Sequence, residues 1–63
     1  MGWVAVGTFD TMDEDALAEV QRWQDVAYDV GFHPERVVKV ERIEEKVRVL
    51  IDQDLYDYFR RGV

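Results

Sequence analysis

From Gly2 to Phe9 the chain alternates between two sets of positions. Val4, Val6 and Thr8 fall on one side, and Trp3, Ala5, Gly7 and Phe9 on the other. A period of two places successive side chains on opposite faces of an extended chain, which predicts a strand. The period then changes. Ala16, Val20, Trp23, Ala27 and Val30 recur at spacings of four, three, four and three, with Leu17 and Val26 widening the stripe. That is the apolar face of an amphipathic helix. Thr11 and Glu14 have the spacing of a capping box, so the helix is expected to run over 11–30, with Asp13, Glu14 and Asp15 at the positive end of its dipole. Gly31 suits the left-handed residue that ends a helix, Phe32 is placed to fold back on the last turn, and Pro34 forbids continuation.

From Val37 to Asp52 the period returns to two. Pairing Val40 with Val49 sets Val38 opposite Ile51 and Arg42 opposite Val47 on one face. On the other face Glu41 meets Arg48 and Lys39 meets Leu50. The opposite charges across the exposed face favour that register, because a slip by one residue would turn every side chain over. The connection Ile43-Glu44-Glu45-Lys46 lacks the Asn-Gly of the tightest hairpins, which predicts a four-residue loop around a type I turn. Asp52 is placed to cap a short final helix with Leu55, Tyr58 and Phe59 inward and Tyr56 beside them. Arg60 and Arg61 suit its negative end, and Gly62 closes it.

These elements predict an α+β fold in the order β-α-β-β-α. A right-handed crossover from the first strand to the second leaves room for the third between them, antiparallel to both. The expected fold is a three-stranded, mostly antiparallel sheet of order 1-3-2 with two helices on one face. It resembles the ferredoxin-like topology without its final strand. The alternative is a meander, with the first strand on the other edge of the hairpin. In the 1-3-2 arrangement Val4, Val6, Val38, Val40, Val49 and Ile51 face the helices. Trp3, Ala5, Gly7 and Phe9 then share the open face with Val37, Lys39, Glu41, Arg48 and Leu50.

Composition bounds what such a chain can be. With 63 residues, 48% hydrophobic and 35% charged, it is expected to form one small domain over 1–63. So short a chain buries little core for the entropy of ordering it, and self-association is the expected remedy. Cys, Ser and Asn are all absent, which excludes disulfides, thiolate or Ser nucleophiles and Cys-rich zinc sites. The beginning of the chain has no basic leader, and no apolar run approaches 18 residues. A cytoplasmic location is therefore expected. Six Arg to two Lys and eleven Val to two Ile match GC-rich coding, as in a high-GC bacterium or its phage.

Charge narrows the partners. The net charge is −6, and the segment from Asp10 to Asp29 alone has seven acids against Arg22. Phosphate backbones and anionic lipid surfaces call for clustered Lys and Arg, so neither nucleic acid nor membrane is an expected partner. Catalytic chemistry finds little support. His33 is the sole imidazole, Asp10, Asp13 and Asp15 lack the Gly and terminal Glu of a calcium loop, and no Gly-rich phosphate-binding motif occurs. The expectation is a protein without enzymatic activity, cofactor or metal.

Three functions remain, in order of expectation. The first is a protein–protein interaction module, self-associating as a dimer or gripping another protein through an open face of Trp3, Ala5, Gly7, Phe9, Lys39, Arg48 and Leu50. The second is an acidic antagonist of a nucleic-acid-binding protein, presenting Asp15, Glu19, Asp25 and Asp29 along the long helix. The third is a small-molecule sensor with its ligand at a dimer interface.

Overall fold

The computed structural model describes residues 2–61. Its elements are β1 (Trp3–Phe9), α1 (Glu14–Asp29), α2 (Pro34–Val37), β2 (Val38–Ile43), β3 (Lys46–Asp52) and α3 (Gln53–Arg61). The fold is α+β, with a fully antiparallel sheet of order β1-β3-β2 and three helices among the described residues. β3 is central, and its apolar residues serve both sheet faces: Val47, Val49 and Ile51 on one and Leu50 on the other, all buried.

One helix more is present than the sequence pattern suggests. α1 stops before Pro34 as expected, and Pro34 itself starts α2, where its fixed φ and missing N–H suit a first helical position. Val37 therefore sits in a helical turn, buried in the core rather than on the open face.

α1 begins three residues later than the capping-box reading. The Asp13 carboxylate accepts from the amides of Asp15 (3.1 Å) and Ala16 (3.2 Å), and Thr11 lies outside the helix. A carboxylate is the better match for the positive end of the dipole, so Asp13 outcompetes Thr11 as the cap. The other end follows the pattern. Gly31 has φ +88°, its N–H donates to the Tyr28 carbonyl, and the Phe32 N–H donates to the Ala27 carbonyl, a Schellman closure that brings Phe32 back onto the core. At α3 the Asp52 carboxylate accepts from the Asp54 amide at 2.8 Å. Leu55, Tyr56 and Phe59 pack inward, whereas Tyr58 stays half exposed against the edge of Phe32. The expected closure at Gly62 lies outside the described residues.

The β2–β3 register is the one that cross-strand charge predicts, from Val38 opposite Ile51 to Arg42 opposite Val47. The hairpin is tighter than expected. Ile43 pairs directly with Lys46, and Glu44 takes a positive φ of 58° to close a two-residue turn. A primed-type turn matches strand twist, and here that match outweighs the backbone preference of a non-glycine residue.

β1 carries the main surprise. Trp3, Val4 and Ala5 pair with Asp52, Ile51 and Leu50, but the next pairs are Gly7 with Val49, Thr8 with Arg48 and Phe9 with Val47. Val6 is the extra residue of a bulge, and beyond it the faces of the strand exchange. Val4, Val6 and Phe9 pack on the core, and Gly7 lies so close to α1 that an added Cβ would stand 2.9 Å from the Phe9 ring and 3.6 Å from Glu19 Cγ. Thr8 turns outward.

The core lies between one sheet face and the helices: Trp23 and Ala27 of α1, Val37, Val38, Val49, Ile51, and Leu55 of α3. Trp23 meets Phe59 edge to face, with centroids 5.0 Å apart, which ties α1 to α3.

Candidate interaction surface

No described element covers the outer face of the sheet. Antiparallel pairing assigns to it Trp3, Ala5 and Thr8 of β1, Arg48 and Leu50 of β3, and Lys39 and Glu41 of β2. Of the residues expected there, Trp3, Ala5, Lys39, Arg48 and Leu50 are brought together. Gly7 and Phe9 are not, because the bulge at Val6 sends them to the helix side.

Leu50 is an apolar residue in the middle of this uncovered face, yet only 5% exposed. Its shelter comes from its neighbours: it pairs with Ala5 and Lys39, and the Lys39 ammonium reaches to 4.2 Å from the Trp3 ring centroid. A lysine stem lying over apolar surface with its charge against an indole face shields leucine while keeping the ammonium wet. Trp3 itself remains 40% exposed. Further along, Arg48 Nη2 donates to Glu41 Oε1 at 3.4 Å, while the buried Arg48 Nε has no partner among the described residues. Lys46 meets Asp10 at 3.1 Å. Both ion pairs are solvent-accessible, where such pairs contribute about 0–1 kcal/mol, so they tune this face more than they hold it. Beside them a groove of about 200 Å³ opens between Thr8, Ile43, Glu44, Lys46 and Arg48.

The acidic row on α1 is broken up. Glu19 accepts from Trp23 Nε1 at 2.7 Å and lies 3.9 Å from Arg22, which makes it a bracket for the core indole. Asp25 accepts from Gln21. Asp15 and Asp29 are exposed at opposite ends of the helix.

Sequence reasoning missed the rim along β2. Val40 faces the helix side as expected but is 40% exposed, and Leu17 of α1, expected to widen the buried stripe, is 54% exposed. A signal was present: Leu17, Gln21, Gln24 and Tyr28 form an uncharged line at helical spacing.

Among the described residues no three His, Cys, Asp or Glu side chains come together as metal ligands. His33 stands exposed at the start of α2 without a side-chain capping bond. A second groove, about 430 Å³, lies along α3 between Asp54, Asp57, Tyr58 and Arg61. No described helix is long and apolar enough to cross a membrane. Compared with known proteins, the chain matches no family model, no curated protein and no solved structure.

Proposed function

We propose that this chain is a non-enzymatic protein–protein interaction module that self-associates through the open side of its sheet. The observation that carries the reading is the uncovered outer face, where Leu50 is sheltered only by neighbouring side chains and Trp3 stays 40% exposed. An aromatic anchor beside a small residue, Ala5, is the kind of relief that protein interfaces use, and a 63-residue chain gains stability from whatever covers it. On the ferredoxin-like reading of the topology, the strand that is absent is the one that would lie against β1.

The acidic-antagonist reading has less support, since Glu19 is engaged by Trp23 and Arg22 interrupts the row. A sensor role would draw on the groove of Asp54, Asp57, Tyr58 and Arg61, which lies along α3 and not on the open face of the sheet.

Sedimentation velocity tests the proposal. Over roughly 10–500 µM, the range in which weak homodimers assemble, the chain is expected to move from 7.5 kDa toward twice that mass. A mass that stays at 7.5 kDa throughout overturns self-association.

A further inference from the structure

The two edges of the sheet are β1 and β2. β1 is blunted by its bulge, whereas β2 has neither bulge nor proline, its charges Lys39, Glu41 and Arg42 are of both signs, and among the described residues its outward backbone groups are unused apart from one. Which groups point outward follows from the hairpin. Ile43 and Lys46 close a two-residue turn, and such a closing pair is hydrogen-bonded; bonding then alternates, so Glu41 and Lys39 bond to β3 while Arg42, Val40 and Val38 point away from it. The Val38 N–H agrees, since it donates to the Pro34 carbonyl and not to β3.

We infer that two copies of this chain join by antiparallel pairing of β2 with β2 about a two-fold axis at Val40, forming one continuous six-stranded sheet. The inference takes from the reading above only that the chain self-associates; it moves the contact from the outer face of the sheet to the edge strand β2. Symmetry and charge select the register. A two-fold axis perpendicular to the sheet keeps the outer faces together, so outer residues pair with outer residues. Centring on Lys39 or on Glu41 sets like charges directly opposite each other. Centring on Val40 sets Lys39 opposite Glu41 of the second copy, twice, in the closely spaced non-hydrogen-bonded positions where side chains interact most. The same register matches the free backbone groups. Each Val40 exchanges hydrogen bonds with the other Val40, and each Arg42 N–H meets the carbonyl of Val38, the one group on that residue not already engaged.

The layer above the seam is suited to closure. Trp23 contacts Phe59 of α3, and Glu19 lies near Gly7 of β1, so that side of α1 leans over β1. At about 100° per residue, Leu17, Gln21, Gln24 and Tyr28 lie on the opposite flank, toward β2. Asp25, which accepts from Gln21, borders that flank, and Leu17 (54%) and Tyr28 (76%) are exposed on it. Two such flanks, antiparallel across the axis, cover the exposed Val40 pair. The outer faces meanwhile merge into one surface with a Trp3 at either side.

The chain has no cysteine, so introduced thiols report without background. Lys39→Cys and Glu41→Cys, mixed and oxidised, are expected to yield a disulfide-linked heterodimer, because cross-strand Cβ atoms at such positions lie about 4.5–5.5 Å apart. Either variant alone is expected to cross-link poorly. Val40→Lys sets like charges face to face on the axis and is expected to weaken dimerisation roughly tenfold or more while leaving the melting of the monomer intact. A wild-type dimer that survives Val40→Lys but dissociates on Trp3→Ala, or that gives no mixed disulfide, overturns this seam and leaves self-association standing. A wild-type monomer at about 500 µM, far above a typical weak-dimer constant, removes both. Should Val40→Lys fail to fold, the thiol pair decides, since Lys39 and Glu41 are solvent-accessible.

Discussion

β1 and β2 are both edge strands of similar length, seven and six residues, each pairing with β3 alone, yet they end differently. β1 breaks its alternation at Val6, and beyond the bulge Gly7 and Phe9 turn toward α1 and the core. β2 keeps its alternation to the end, and its helix-side residue Val40 is left in the open. An edge is thus closed less by its position in the sheet than by whether its sequence permits a local twist that folds the strand end under a helix. A bulged edge also offers a poor template to a second strand. The difference turns the second half of β1 toward the helices and leaves the middle of β2 open to a partner.

The largest effect that tests this contrast is truncation of a helix-side residue on each edge. Phe9→Ala is expected to destabilise the chain by about 2–4 kcal/mol in urea or thermal unfolding, because the ring packs on the core. Val40→Ala, on the same side of the sheet but at the other edge, is expected to cost less than about 1 kcal/mol in the monomer. Equal effects would dissolve the distinction between the edges. A negligible loss for Phe9→Ala would restore Phe9 to the outer face.

What the residue pattern disclosed, and what it concealed, divides along the same line. The β2–β3 register was legible because in that alignment Glu41 meets Arg48 and Val40 meets Val49, while a two-residue slip that sets Glu41 opposite Lys46 also sets Lys39 against Arg48. β1 was ambiguous because its second half satisfies either face: Gly7 has no side chain to declare a side, and Val6 can pack inward from a bulge as well as from a regular strand. The start of α1 offered two oxygen-bearing caps two residues apart, and the charge on Asp13 decided between them. Pro34 was read as a terminator although it serves equally as a first helical residue. Of the candidate surface, the Lys39 and Trp3 pair was visible only as two outward residues. That they meet diagonally over Leu50 depends on reach across β3, which no alternation encodes.

A smaller change sharpens the β1 side. Gly7 lies where an added Cβ would come within 2.9 Å of the Phe9 ring, itself held against the core. Gly7→Ala therefore requires Phe9 or α1 to give way. Overpacking of this kind costs about 1–3 kcal/mol, and the low end is expected here because an aromatic ring can tilt. The measurement is the urea midpoint at unchanged m-value. A stabilised variant would mean that Gly7 faces open space, as a regular β1 without a bulge would place it.

The smallest expected effect lies on the β2 side, at the turn that carries this edge. Glu44 holds φ at 58°, a region where the Cβ crowds the backbone. Glycine has no such penalty but adds freedom to the unfolded chain, and the two effects oppose each other. Because Glu44 is exposed and no hydrogen bond or ion pair of its side chain is seen among the described residues, little else is lost on substitution. Glu44→Gly is accordingly expected to raise stability by about 0.5 kcal/mol, a gain of the size found when a residue is matched to its backbone conformation. If β2 is the seam, the change should leave the dimer's dissociation constant unaltered, since the outward groups of Val38, Val40 and Arg42 do not include the turn. A stabilised hairpin that dimerises as before would separate the folding of this edge from its use. A dimer weakened by Glu44→Gly would instead move the contact from the middle of β2 to its turn.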